Sequence, residues 1–370
     1  MTFQLLLDLD DTLLDTNIDT FLPAYFKSLT AHAQGHVAQD VFAAHLMKST
    51  QVMYASKQAN LTLEQAFDSA FYPNIGRSKH HMAEMLEEYY DNEFPKLGIY
   101  TRQIPQAIDL VQWAIEKGWQ ITVATDPLFP RKAILSRLRW AGLEPAATPF
   151  RFISDFHTFH FAKSSVAYYP ELLAWLNWNN EPLLMVGDSM ERDINPSLAA
   201  GIPVFWLTAA KNDSLGFPNG TYDDLKAYLE STDLETLRVD TRTSNAQLAF
   251  LLATPAFFHS YLNTAQLSPE ANSNHAQVIF DLCDAELEVN TPWVKALLRQ
   301  PTDPAEEEAA DTDSASEAFD LFYAARQNLL TSLRQMPAEQ WQEKVTQGVL
   351  QQIVAQDRVF LRQAYSNLHS

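Results

Sequence analysis

The chain has 370 residues and carries 26 Lys plus Arg against 46 Asp plus Glu, a formal net charge of −20. Such a surface repels nucleic acid and anionic lipid within a Debye length, so neither is an expected partner, while the length suits two or three domains. Cys283 is the only cysteine, no apolar run approaches the roughly 20 residues of a spanning helix, and no basic stretch followed by a long apolar one opens the chain. No disulfide, membrane span or signal peptide is therefore expected, and a cytoplasmic protein is the default.

In chain order, 3-FQLLLD-8 is a short apolar run ending in Asp and reads as a buried strand. From 18 to 95 the pattern turns helical, with Phe21, Leu22, Tyr25, Phe26 and Leu29, and later Met82, Met85, Leu86 and Tyr89, at spacings of three and four. A small helical module is expected there. Helix and strand then alternate. A helix ends at Gly118, 119-WQITVAT-125 reads as a strand, and 131–141 as a helix with Pro130 at its start. Further on, 151-RFIS-154 is a weaker strand, Ala167 to Trp178 a helix, and 182-PLLMVGD-188 a buried strand. A helix near 194–200, the strand 203-PVFWL-207 and a helix near 222–231 complete the series. Repeated units of this kind predict an α/β fold with a doubly wound, mostly parallel sheet, whose site lies beyond the carboxyl ends of the strands. A linker at 233–243 follows. From 244 to 370 only helical patterns appear, at 245–263, 275–300, 316–335 and 338–367, which predicts an all-α bundle. It is interrupted near 301–316 by the acidic run 302-TDPAEEEAADTD-313, read as a solvated loop.

Chemistry gathers at strand ends. Side chains two apart in a strand share a face, so Leu6, Asp8 and Asp10 point one way as the first strand ends. Two carboxylates there require a counter-charge, and Mg²⁺ favours carboxylate and carbonyl oxygens. Taken alone, an Asp-rich turn after a strand needs no such explanation. Three more strand ends change that reading. Thr125 closes 121-ITVAT-125 and offers a hydroxyl and backbone donors to a phosphate. Lys163 follows a small strand in 160-HFAKSS-165 and brings a positive charge. In 185-MVGDSMERD-193 a buried strand ends in Asp188, with Asp193 five residues further on.

This ordered set resembles the haloacid dehalogenase-like hydrolase superfamily over residues 1–232. DLDDT at 8–12, Thr125, Lys163 and GDSMERD at 187–193 correspond to its four motifs. The resemblance implies a core formed by 1–17 and 96–232, with 18–95 as the family's C1 cap. It also implies that Asp8 is a nucleophile forming an aspartyl-phosphate and that Asp10 is the proton carrier. Mg²⁺ would be held by the Asp8 and Asp188 carboxylates and the Asp10 carbonyl. Thr125 would bind the phosphoryl group and Lys163 would neutralise Asp8 and substrate. Asp193 and Thr12 would support these from behind. Family dehalogenases lack an acid at the position of Asp10, so the resemblance favours a phosphatase acting on a small phosphorylated metabolite. A phosphotransferase or phosphomutase of the same fold stays open, as does a weakly active domain that binds a partner. Relatives commonly carry Asn where this chain has Asp126, which bears on substrate preference, and often Lys-Pro where it has 163-KSS-165. Substrate identity and oligomeric state are not legible.

The C-terminal segments 251-LLATPAFFHSYL-262, 275-HAQVIFDLCDAELEV-289 and 353-IVAQDRVFLRQ-363 weakly resemble DinB-like four-helix bundles. The three metal-binding histidines of that family would fall at Asp281, Gln356 and Phe360. None is His, so a metal-free bundle used in packing or assembly is expected. His259 and His275 receive no role.

Overall fold

The computed structural model describes residues 3–265, 273–298, 314–341 and 343–369. The chain divides into two compact units. One comprises Met1–Ser165, Asn180–Leu198 and Ile202–Val239; the other comprises Val166–Asn179, Ala199–Gly201 and Asp240–Ser370. The acidic run 302–313 lies outside the described residues.

The first unit is built on a parallel sheet. Strand β1 (Gln4–Leu7) lies at its centre, fully buried, as a continuous apolar run should in a sheet covered on both faces. After β2 (Leu14–Thr16) and β3 (Thr101–Gln103) come β4 (Gln120–Val123), β5 (Phe150–Ile153), β6 (Leu183–Gly187), β7 (Val204–Leu207) and β8 (Asn219–Gly220). The six-stranded order is β5-β4-β1-β6-β7-β8, every pair parallel. Leu5 is in register with Ile121 on one side and Leu184 on the other, so β1, β4 and β6 end at one level. The core around them includes Phe3, Leu5, Leu7, Ile121, Val123, Leu184 and Val186. The antiparallel pair β2–β3, which the sequence pattern does not reveal, joins the two ends of the helical insert, Leu14 opposite Gln103 and Thr16 opposite Thr101.

That insert contains α1 (Ile18–His32), α2 (Gln39–Ala55), α3 (Leu63–Ile75) and α4 (Lys79–Glu88), followed by short turns to Tyr100. Asn17 caps α1 by accepting from the Thr20 N–H, and Thr62 and Gln65 form a reciprocal capping box at α3. Phe21, Tyr25 and Leu29 form the buried stripe of α1 and pack with Phe42, Phe71, Met82, Tyr89 and Phe94. The remaining helices of this unit are α5 (Pro105–Glu116) and α6 (Arg131–Trp140), then, past α7 (Tyr168–Trp175) of the second unit, α8 (Asn195–Ala199) and α9 (Tyr222–Ser231).

The second unit is all-helical in its described residues. It contains α7 together with α10 (Ser244–Ala265), α11 (Ser273–Asp284), α12 (Thr291–Leu298), α13 (Ala315–Arg334), α14 (Ala338–Trp341) and α15 (Lys344–Leu368). Ala174 of α7 joins Phe257, Phe258, Val278, Ile279 and Phe322 in its apolar core. At Asp281, one of the positions aligned with a metal histidine, the carboxylate accepts from Gln277 Nε2 at 2.7 Å.

A charged cluster crosses this unit. The fully buried Arg326 donates to both Glu286 oxygens at 2.7 Å and to the Asp357 oxygens at 2.7 and 3.0 Å. Asn290 donates to Glu286 at 2.9 Å and Thr254 to Asp357 at 2.8 Å. Burial opposes the guanidinium charge, but Asp357 and Glu286 more than offset it and raise its pKa above the ordinary arginine value. Removing one member of such a cluster leaves its partners charged and dry. Arg326→Met should therefore lower the unfolding free energy by about 3–5 kcal/mol in a denaturant titration. A loss below about 1 kcal/mol would show that the cluster has no role in holding α13 to α15.

Candidate active site

The adjacency of β4, β1 and β6 brings together residues far apart in sequence. Asp8 follows β1 directly, Thr125 and Asp126 follow β4, and Asp188 follows β6. Asp8 and Thr125 are buried, at 7% and 1% exposure. Lys163 does not follow a strand of its own, as the sequence pattern suggests. It stands on the loop between β5 and α7. What carries it to the site is Asp126, whose Oδ1 accepts the Lys163 backbone N–H at 2.9 Å. Asp126 thus spans the gap between two loops, and burial raises its carboxyl pKa while Lys163 and Arg192 oppose the rise.

The Lys163 side chain, 1% exposed, ends between two carboxylates. Its Nζ lies 2.6 Å from Asp8 Oδ1 and 2.5 Å from Asp193 Oδ1. The other Asp193 oxygen accepts the Ser189 N–H at 2.8 Å. Gly187 makes this fold-back possible, because a Cβ there would lie 2.3 Å from the Asp193 carboxyl carbon. The Gly-Asp pair at the end of β6 is in this sense a steric requirement of Asp193. Trp206 Nε1 donates to the Asp188 carbonyl at 2.7 Å, steadying the same turn.

Asp11 sits at φ 56°, donates its N–H to Leu14 O at 2.7 Å and accepts from Thr16 N at 2.9 Å. It closes the turn after β1, a local task that matches its lack of assigned chemistry. Thr12 is fully buried. Its carbonyl accepts from the Tyr222 hydroxyl, and its own hydroxyl makes no hydrogen bond among the described residues.

Two cations escape the sequence reading. Arg137 on α6 is 1% exposed, and its Nη2 donates to Asp10 Oδ1. Its guanidinium carbon lies 5.0 Å from the Phe129 ring centre and 5.5 Å from that of Phe21. The available signal was an arginine on the apolar face of a helix, in step with Ala133, Ile134 and Leu138. Arg192, inside the GDSMERD segment, exerts an electrostatic pull on Asp8, Asp126, Asp188 and Asp193 alike.

Carboxylates still outnumber cations. Asp8, Asp10, Asp11, Asp126, Asp188 and Asp193 face Lys163, Arg137 and Arg192. The excess appears in the pKa values. Burial pushes Asp188 up to about 7, with Asp8, Asp193 and Asp11 adding to the rise. Burial, with Asp8, pushes Asp193 up to about 6 against the pull of Lys163. Oxygen atoms of Asp8, Asp188 and Asp193 all lie within 4.8 Å of one another, a spacing that fits a divalent cation. Because Asp193 is engaged by Lys163 and Ser189, Asp8 and Asp188 are the carboxylates best placed to take one.

The family model for haloacid dehalogenase-like hydrolases matches residues 5–207, and the chain belongs to that family. None of the curated proteins matches the chain. Among solved structures it is similar to a HAD phosphatase from Thermococcus onnurineus, at 17% identity over 62% of this chain and 98% of that one, with a TM-score of 0.39. It is also similar to a 2-haloacid dehalogenase from Pseudomonas syringae pv. Tomato DC3000, at 17% identity over 62% and 99%, with a TM-score of 0.45. A haloacid dehalogenase-like family hydrolase from Xanthomonas campestris gives 14% identity over 64% and 96%, with a TM-score of 0.35.

The raised carboxyls generate a linkage. Asp188 and Asp193 have folded-state values of about 7 and about 6 against an ordinary 3.8, so the folded chain binds more protons than the unfolded one across that window. Their contribution to stability is present at low pH and is lost as pH rises through those values. A cation competes with these protons, so Mg²⁺ should raise the melting temperature more near pH 7.5 than near pH 5. Equal shifts at the two pH values, by differential scanning fluorimetry, would contradict this electrostatic account.

Proposed function

We propose that the protein is a Mg²⁺-dependent, cytoplasmic phosphohydrolase that acts on a small phosphomonoester through an aspartyl-phosphate on Asp8. The observation that carries this reading is the buried Lys163 ammonium held between Asp8 and Asp193, with Asp188 beside them and Asp10 two residues from the nucleophile. The Lys163 ammonium lies 2.6 Å from Asp8 Oδ1, where its positive charge faces both the attacking carboxylate and the incoming phosphoryl group. One Asp8 oxygen forms a bond to phosphorus while the bond to the leaving oxygen breaks. The electron pair stays on the leaving oxygen, which takes a proton from Asp10. In the second half, Asp10 accepts a proton from water, the water oxygen bonds to phosphorus, and Asp8 leaves as a carboxylate. Thr125 and Lys163 hold the phosphoryl oxygens throughout. Asp8, Asp188 and the Asp10 carbonyl would hold Mg²⁺, which would supply positive charge opposite the carboxylates and the phosphoryl group.

The acid at Asp10 is what favours phosphoryl transfer over displacement of a halide, which needs no proton on its leaving atom. Asp126 fits the same reading, because its engaged oxygen accepts a backbone N–H that an amide oxygen could equally accept. The helical insert serves as the C1 cap that selects the substrate, a small phosphorylated metabolite.

A panel of phosphomonoesters tests the proposal. The wild type should turn over at least one of them with Mg²⁺ and lose that activity reversibly on chelation. Asp8→Asn should lower kcat by on the order of 10⁴-fold or more. A wild type indistinguishable from Asp8→Asn on every ester, with Mg²⁺ present, would refute it.

A further inference from the structure

Arg137 is not needed for the folding of α6. That helix already buries Ala133, Ile134 and Leu138 on the same face, and an aliphatic side chain would continue the stripe without burying a charge. The cost of the arginine is visible. Burial drags its pKa down to about 10, and its Nε–H is buried with no hydrogen-bond acceptor among the described residues. Two aromatic rings, Phe129 of the core and Phe21 of α1, flank the guanidinium and fix its plane. What it gains among the described residues is a bond from Nη2 to Asp10 Oδ1. Asp10 meanwhile is the more exposed of that pair, at 21% against 1%, and has Asp8 and Asp11 close by in the chain. Nothing else described holds its carboxylate.

We propose that Arg137 is a positioning residue for the proton-transfer step, holding Asp10 by Oδ1 so that Oδ2 is left to exchange a proton with the leaving group and then with water. The inference rests on the phosphatase reading of Asp10. A guanidinium clamped between two rings presents its nitrogens along fixed directions, and a carboxylate held at one oxygen keeps a single rotamer. Without it, repulsion from the neighbouring carboxylates turns Asp10 outward to solvent, and the acid is lost from the site even though its residue is intact.

The readout is sensitivity to the leaving group. p-Nitrophenolate departs without protonation, whereas an alkoxide does not. For a reaction through an aspartyl-phosphate, kcat/KM reports the steps up to departure of the leaving group. Arg137→Gln should therefore lower kcat/KM for an alkyl phosphate about 10- to 100-fold more than for p-nitrophenyl phosphate. Arg137→Lys, which keeps a cation in the same pocket, should recover part of that difference. Equal losses on both esters, or no loss on either, would overturn the proposal, since a purely structural role cannot tell the two leaving groups apart. If Arg137→Gln does not fold, as judged by circular dichroism, Arg137→Lys carries the test with the same two outcomes. A wild type silent on both esters with Mg²⁺ would instead refute the phosphatase reading, and this inference with it.

Discussion

The site depends on one buried ammonium group. Lys163 places Nζ within 2.6 Å of Asp8 and 2.5 Å of Asp193, and it is the cation that faces both of these buried carboxylates at once. Much of the surrounding structure serves that placement. Asp126 pins the lysine backbone to the end of β4, and Gly187 clears room for Asp193 to fold back. The central position of β1 between β4 and β6 sets Asp8 between Thr125 on one side and Asp188 on the other. The ammonium is not sufficient, however. The raised value of Asp188 records negative charge that the protein's own cations leave uncompensated. A carboxylate cluster left short of positive charge has a composition and spacing that suit a divalent cation.

The C-terminal unit solves the same problem in the opposite way. Glu286 and Asp357 are as deeply buried as Asp8, yet Arg326 engages both in bidentate fashion while Asn290 and Thr254 add further bonds. A carboxylate pair already satisfied by protein groups can specify how α10, α13 and α15 meet. It offers no opening for a ligand. The contrast separates a charge cluster left short of positive charge from one whose carboxylates the protein itself has satisfied.

Legibility in the sequence followed locality. Asp8 and Asp188 lie at the ends of short apolar runs, with Asp10 and Asp193 two and five residues further on, and a run ending in acid can be read without knowing the fold. Thr125 was visible in the same way. The parallel sheet followed from alternating elements, because such a sheet leaves helices between its strands, whereas the order of the strands came only from the structure. Arg137 was not visible, since α6 carries four basic residues in ten and one buried arginine looks like its exposed neighbours until the helix is docked. The β2–β3 pair was missed because three-residue strands separated by the whole insert leave no periodic signal. The Arg326 cluster was missed for a related reason, as its members lie 31 and 40 residues apart and on different helices. The loop placement of Lys163 was beyond the pattern too, because the bond that holds it comes from a residue 37 positions earlier.

The central claim is that Asp8 is a nucleophile and not merely a ligand. The most direct test is to react the protein with a phosphomonoester and Mg²⁺, quench in acid within the first turnover, and weigh the peptide containing residues 3–15. The account predicts that a fraction of this peptide carries one added phosphoryl group, located on Asp8 and lost in Asp8→Asn. An enzyme that releases phosphate while this peptide stays unmodified at every quench time would contradict it.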